Sequence, residues 1–375
     1  MRWSWRIGRL AGIDVYVHAT FPLLLAWIAL SAYQRQQSTA AVVGAIAFIL
    51  AIFAIVVLHE LGHALTARRY GIATRDITLL PIGGVARLER MPREPRQELL
   101  VALAGPAVNV ALAAVLYVLL IAIRGAGAST ADALTLDDSV AGGSLLARLI
   151  AVNVWLALFN LIPAFPMDGG RVLRALLAMR SRNYARATET AARVGRFFAL
   201  LFGVIGLFVV GNPFLVFIAL FVWLGAAAEA AAVQTSAMLD GVPLSQVMIT
   251  DVRTLAPDEP LRRAMELTLS GFQQDFPVVE HGAVVGLLTR QQLVRGLAER
   301  GPDAPVDTVM GREFQSAGPD DPVEEALTRL KACACHAMPV VRGRELLGVL
   351  TTENVGEFIM LRAALRGAEA AEMPA

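Results

Sequence analysis

The stretch Ala40–His63, AAVVGAIAFILAIFAIVVLHELGH, joins an uncharged, almost wholly apolar run to a cluster of two histidines and a glutamate. About 20 apolar residues carry a helix across the hydrocarbon core of a bilayer, so Ala40 to Leu58 is expected to be a membrane span. Residues four apart share a helix face, which lets His59 and His63 hold one metal while Glu60 reaches the water beside it. Zinc activates such a water near neutral pH, and a neighbouring carboxylate can take its proton. That chemistry suits peptide hydrolysis. The competing reading is an accident of composition. Only five histidines occur in 375 residues, and ionisable groups at the end of an uncharged span are costly, which weighs against it.

The composition fits a membrane protein, with 56% hydrophobic and 17% charged residues. Charge is sparse over the first 230 residues and ordinary after Asp240, so an embedded part precedes a wet one. A net charge of +1, with no basic clusters interleaved with aromatics, excludes nucleic acid as a partner. Further spans are expected at Leu99–Ile123, Leu149–Met167, Ala19–Tyr33, Phe197–Gly211 and Pro213–Ala228, six in all. The segments after the second and fourth spans are rich in arginine, from Arg68 to Arg96 and from Arg171 to Arg196. The other connections are poor in it, and the third carries Asp132, Asp137 and Asp138. The positive-inside rule then puts both termini in the cytosol of a protein of the cell (inner) membrane. The basic start lacks a cleavage site after its first apolar run, so no removable signal peptide is expected.

Two histidines and a water leave tetrahedral zinc one ligand short. Asp168 is the best candidate, in Asn160-Leu-Ile-Pro-Ala-Phe-Pro-Met-Asp168-Gly169-Gly170. In the topology above it lies on the same side as His59 and His63. Pro163, Pro166 and the two glycines break a helix there, which bilayer depth tolerates only inside protein or beside a cavity. The alternative makes Asp168 a simple membrane-exit residue. Asp76 to Glu89 holds two β-prone stretches around Gly83-Gly84 and is expected to be a hairpin. Its edge can hold an unwound substrate by strand addition, or it is a plain hairpin.

The wet part repeats itself at an offset of 62 residues. Val247-Met248 falls on Val309-Met310, Phe276-Pro-Val-Val279 on Met338-Pro-Val-Val341, and Gly286-Leu-Leu-Thr289 on Gly348-Val-Leu-Thr351. Each unit is expected to be a helix, two strands joined by a turn, and a second helix. Cys333 and Cys335 are too close together to staple a fold. The repeat sets them opposite Gly271 and Gln273, which argues for ordinary packing rather than a metal cluster. The connection Gln234–Pro243 is short enough to keep the repeats near the membrane face.

Three motifs together resemble the site-2 protease family of intramembrane zinc metalloproteases, its six-span, sporulation-factor-like branch above all. They are His59-Glu-Leu-Gly-His63, Ala104-Gly-Pro-Ala-Val-Asn109, and Asn160 through Asp168-Gly169. The resemblance implies one zinc per chain on His59, His63 and Asp168, with Glu60 as general base. It also implies an oxyanion- or substrate-steadying role for Asn160 and a membrane-associated β-loop at Gly83-Gly84. Asn109 is expected to pack through the small Ala104-Gly105 surface and to bond a neighbouring helix. The repeat resembles a pair of CBS domains, which implies an adenine nucleotide near Thr289 and Thr351 and a homodimer formed through the pair. Gln292 and Asn354 stand where a ribose-binding aspartate is usual.

The fold class expected is therefore a polytopic α-helical membrane protein followed by a cytosolic α+β tandem CBS pair. Its parts are a protease domain over 1–235, CBS domains over 241–302 and 303–362, and a flexible tail over 363–375. The expected partners are a membrane-protein substrate and the lipid bilayer. The rival functions are a CBS-gated transporter or channel, which predicts polar residues spread along the spans, and an inactive scaffold, which has no use for Glu60.

Overall fold

Ile13-Asp14-Val15-Tyr16-Val17-His18 alternates apolar and polar residues and forms strand β2 (Ile13–His18), with Ile13, Val15 and Val17 buried. Ala11 and Gly12, both at positive φ, turn the chain from β1 (Ser4–Leu10) into β2. Arg6 pairs with Asp14 across this hairpin at 2.9 Å, so the basic N-terminus is a strand and not merely a charged flank. β2 runs parallel to β3 (Thr74–Leu80), which turns back into β4 (Gly83–Leu88). The expected hairpin around Gly83-Gly84 is thus half of a four-stranded sheet in the order β1-β2-β3-β4, with β4 at its edge.

This computed structural model describes residues 3–81, 83–89, 92, 94–124, 145–271, 273–333 and 336–372. The third connection with its aspartates, and Cys335, lie outside the described residues. The chain divides into two units, Met1–Ala231 and Ala232–Ala375.

In the first unit α1 (Phe21–Gln36) and α2 (Thr39–Arg69) follow β2. After β4 come α3 (Pro95–Arg124), α4 (Leu145–Asn160), α5 (Asp168–Ser181), α6 (Tyr184–Val204) and α7 (Pro213–Leu239), the last of which runs on past Ala231 into the second unit. A π-helical turn, Ile205–Val209, extends α6. Among the described residues four helices are long and apolar enough to cross a membrane: Thr39–Arg69, Pro95–Ile123, Tyr184–Val209 and Pro213–Leu239. Their outward faces expose Leu50, Val115, Val118, Phe208, Phe214 and Trp223, a surface made for hydrocarbon rather than water.

Two of the expected spans fall on shorter helices among the described residues. α1 and α4 are 16 residues each. At 1.5 Å per residue α1 measures about 24 Å. The expected span Leu149–Met167 stops at Asn160 because Pro163 and Pro166 lack the N–H a helix needs. The irregular segment from 161 to 167 turns inward, with Ala164 and Phe165 fully buried, and Asp168 opens α5 instead of ending a span. A Cβ on Gly170 would lie 2.6 Å from the Phe165 nitrogen, so only glycine lets the segment lie against the first turn of α5. The arginine-rich stretch after it, expected as a loop, is α5 and the start of α6.

The second unit bears out the repeat. α8 (Leu261–Ser270), β5 (Phe276–Glu280), β6 (Ala283–Leu288) and α9 (Arg290–Arg300) form one copy. The other is α10 (Val323–Ala332), β7 (Ala337–Arg342), β8 (Glu345–Thr351) and α11 (Thr352–Glu372). The strands join in the order β5-β6-β8-β7. Bridges cross between copies in matched pairs, Pro243 to Pro322 with Pro260 to Pro305, and Ile249 to Val349 with Leu287 to Gly311. These exchange under the 62-residue offset, as a two-fold pseudo-symmetry requires. Each copy has its own apolar core, one around Leu261, Phe276 and Leu288, the other around Val323, Met338 and Leu350. α11 runs on to Glu372, as a stretch rich in Ala, Leu, Arg and Glu favours. Cys333 lies at the end of α10, its Sγ 3.3 Å from the Leu330 carbonyl oxygen.

Candidate metal centre

α2 carries His59 and His63 one turn apart, both buried. Their Nε2 atoms lie 3.1 Å from each other, and Asp168 Oδ2 lies 3.3 Å from the first and 3.2 Å from the second. A tetrahedral zinc with bonds of about 2.0–2.1 Å spaces its ligand atoms by roughly 3.3 Å, so the three atoms stand where three corners of a zinc tetrahedron would. Among the described residues this is the group of His, Cys, Asp and Glu side chains that can hold a metal.

The far nitrogens of both rings are engaged elsewhere. His63 Nδ1 lies 2.7 Å from the Val101 carbonyl and His59 Nδ1 lies 3.3 Å from Asn109 Oδ1. Both partners are acceptors. Each therefore holds the proton on Nδ1 and leaves the Nε2 lone pair free to face the shared point. Asn109 bonds a neighbouring helix as expected, and the group that its fully buried side chain meets there is a ring of the cluster, which it orients.

One face of α3 supplies most of this support. Glu98, Val101, Gly105 and Asn109 follow at i, i+3, i+7 and i+11, a stripe along one side of a helix. Gly105 stands where the two imidazoles meet. A Cβ there would lie 2.6 Å from His59 Nε2 and would overlap His63 Nε2. The Ala104-Gly105 step suggested close helix packing, and Gly62 on α2 bears that out, with a Cβ there 2.9 Å from the Ala104 carbonyl. That Gly105 leaves room for a metal was not legible without the pairing of α2 with α3.

Glu60, one position along from His59, accepts a hydrogen bond from the Ala86 N–H of β4 at 3.0 Å. A Cβ on Gly84 would lie 3.0 Å from Glu60 Cγ, so the edge strand packs directly on this carboxylate. Asn160 ends α4, and its Nδ2 donates to the Leu156 carbonyl of its own helix at 2.9 Å, turned back rather than offered to the cluster. Thr289 caps α9 in a reciprocal capping box with Gln292. Thr351 accepts from the Asn354 N–H at 3.2 Å. Both hydroxyls serve helix starts. A cavity of about 290 Å³ in the same unit is lined instead by Thr250, Thr254, Gly282 and Glu345 among others.

Apolar helices around a buried His-His-Asp triangle, with a glutamate beside it, define a membrane metallopeptidase. Residues 47–202 match peptidase family M50, and residues 244–299 and 306–360 each match the CBS domain. The zinc metalloprotease MJ0392 of Methanocaldococcus jannaschii is 35% identical over 288 residues, 77% of this chain and 78% of that protein. Rip3 of Mycobacterium tuberculosis is 29% identical over 381 residues, 96% of this chain and 93% of that protein. The chain belongs to peptidase family M50, the site-2 proteases, and is a membrane zinc metalloprotease with a C-terminal pair of CBS domains. The solved site-2 protease from M. jannaschii is similar at 36% identity, over 61% of this chain and 95% of that chain, with a TM-score of 0.44. A gated transporter or channel is not favoured by these matches.

Proposed function

We propose that His59, His63 and Asp168 hold the zinc, that Glu60 is the general base, and that the substrate is a membrane protein cut in or near a transmembrane segment. The observation that carries this is the triangle of Nε2, Nε2 and Oδ2 atoms with edges of 3.1–3.3 Å. When bound, zinc supplies an activated water and a polarised peptide carbonyl. Glu60 takes the proton of the attacking water and returns it to the departing amine. The free edge of β4, with Gly83 and Gly84 beside Glu60, receives the unwound substrate as an added strand, which brings its backbone to the carboxylate. Asn160 would have to release the Leu156 carbonyl before steadying an oxyanion, so that role requires a rotamer change on substrate binding.

Asp168→Asn is the direct test. A neutral amide is a poorer zinc ligand than a carboxylate, so metal content of the purified protein should fall well below one per chain. Full occupancy would place the third ligand elsewhere. Asn109→Leu removes the acceptor on His59 Nδ1 at similar volume. It should weaken zinc about 10–100-fold, read by competition with a chromophoric chelator.

The rest of the proposal concerns placement and regulation. The protein crosses the cell membrane several times with both termini cytosolic. Its protease domain covers 1–235, and CBS domains over 241–302 and 303–362 bind an adenine nucleotide and can pair two chains. The cavity by Thr250 and Glu345 is a better receptor than the hydroxyls of Thr289 and Thr351, which already cap helices. A ligand changes activity only if it binds two states with different affinity. ATP, ADP and AMP titrated against cleavage by the full-length enzyme and by a form ending near Ala237 should alter the first alone. A response of the truncated form would move the sensor into the membrane unit.

A further inference from the structure

Arg174 on α5 is fully buried and belongs to no part of the metal triangle. Its guanidinium is clamped between two helices. Nε donates to Glu98 Oε1 on α3 at 2.7 Å, Nη2 donates to the same oxygen, and Nη1 donates to Glu229 Oε1 on α7 at 2.6 Å. The rings of Phe165 and Tyr184 each lie 5.0 Å from its central carbon. A buried ion cluster of this kind is poor evidence for stability, because desolvation offsets its attraction. What it imposes is a unique arrangement of the groups that carry it. A planar fork meeting carboxylates on two different helices fixes both the roll and the axial position of α5.

Asp168 is the first residue of that same helix. Six positions separate it from Arg174, a rise of about 9 Å and a rotation that puts the two on different faces. Locally the first turn of α5 is held by backbone packing, Gly170 against Phe165, while Met167 at the N-cap gives no side-chain cap, so no local polar side chain sets the roll of the helix. The partner of Arg174 is also telling. Glu98 lies one turn before Val101, whose carbonyl orients His63. One turn of α3 thus registers His63 directly and Asp168 through Arg174.

We propose that Arg174 is a positioning residue for the metal centre, with Glu98 and Glu229 as its anchors, holding Asp168 at the distance the two histidines require. The proposal rests on the ligand set of the preceding section.

The test uses full-length protein in detergent, stripped of metal and titrated with zinc against a chelator, then loaded with Co²⁺ for its visible spectrum. Arg174→Lys keeps the charge but loses the fork, and should raise the zinc Kd about 10–100-fold and alter the cobalt bands. Glu229→Gln, at the half-exposed end of the cluster, should shift both in the same direction by less. Arg180→Lys, an exposed change on the same helix, should match wild type. If R174K and E229Q fold and keep wild-type zinc affinity and cobalt bands, even at a lower Tm, the network is structural and the proposal is overturned. If R174K does not fold, E229Q decides alone by the same criterion. Asp168→Asn in parallel separates the two readings. Wild-type affinity there removes the ligand set and this proposal together, whereas lost affinity there beside wild-type R174K and E229Q removes only the positioning role.

Discussion

Replacing Glu60 by Gln leaves zinc at one per chain and lowers cleavage of a single-span test substrate by on the order of 10²–10⁴-fold, the usual worth of a positioned proton acceptor. The substitution isolates the chemistry from everything else the side chain does. Glu60 Oε2 accepts from the Ala86 N–H at 3.0 Å, and the Gln amide oxygen can accept the same bond, so β4 stays seated. The imidazole nitrogens keep Val101 and Asn109 as partners, so the ligand rings stay oriented. What disappears is only the capacity to hold a proton between attack and departure. Cleavage within a few-fold of wild type in a protein with full zinc would assign the base to another group.

The parts of this molecule that were legible in the sequence are the ones written locally. His59, Glu60 and His63 announce themselves because a helix puts i and i+4 on one face, and the 62-residue repeat because register survives through three blocks. Asp168 could be chosen because prolines and glycines at bilayer depth imply a protein-lined break. The hidden parts depend on pairings far apart in the chain. Arg174 reads as one of many cytosolic arginines until Glu98 and Glu229, 76 and 55 residues away, are brought against it. The strand β2 carried a clear period of two, but its parallel partner β3 lies beyond two helices, and a basic terminus before an apolar run reads first as a membrane flank. Thr289 and Thr351 carry two readings at once. The family pattern assigns them to a ligand, while a Thr three residues before Gln292 or Asn354 at a helix start is also a cap, and it is as caps that the hydroxyls act.

The largest effect on metal binding is expected from a residue with no side chain. Gly105→Ala should abolish zinc binding and, with it, cleavage, while the protein stays folded. The added methyl would sit 2.6 Å from His59 Nε2 and on top of His63 Nε2, in the space where the ligand atoms converge. The obstructing atoms are the free ends of imidazoles, not backbone, so the clash is relieved by swinging the rings aside. That movement breaks the contacts of His63 with Val101 and of His59 with Asn109 and scatters the triangle. The helix itself gains, because alanine is favoured over glycine in a helix interior by about 1 kcal/mol. Loss of zinc with an apo Tm close to wild type is therefore the expected pair of results, measured by metal analysis and thermal unfolding of chelator-treated protein. The pair matters because an unfolded variant would lose metal for a trivial reason. Retention of stoichiometric zinc in a folded G105A would mean that His59 and His63 meet the metal from positions other than those they hold beside Gly105.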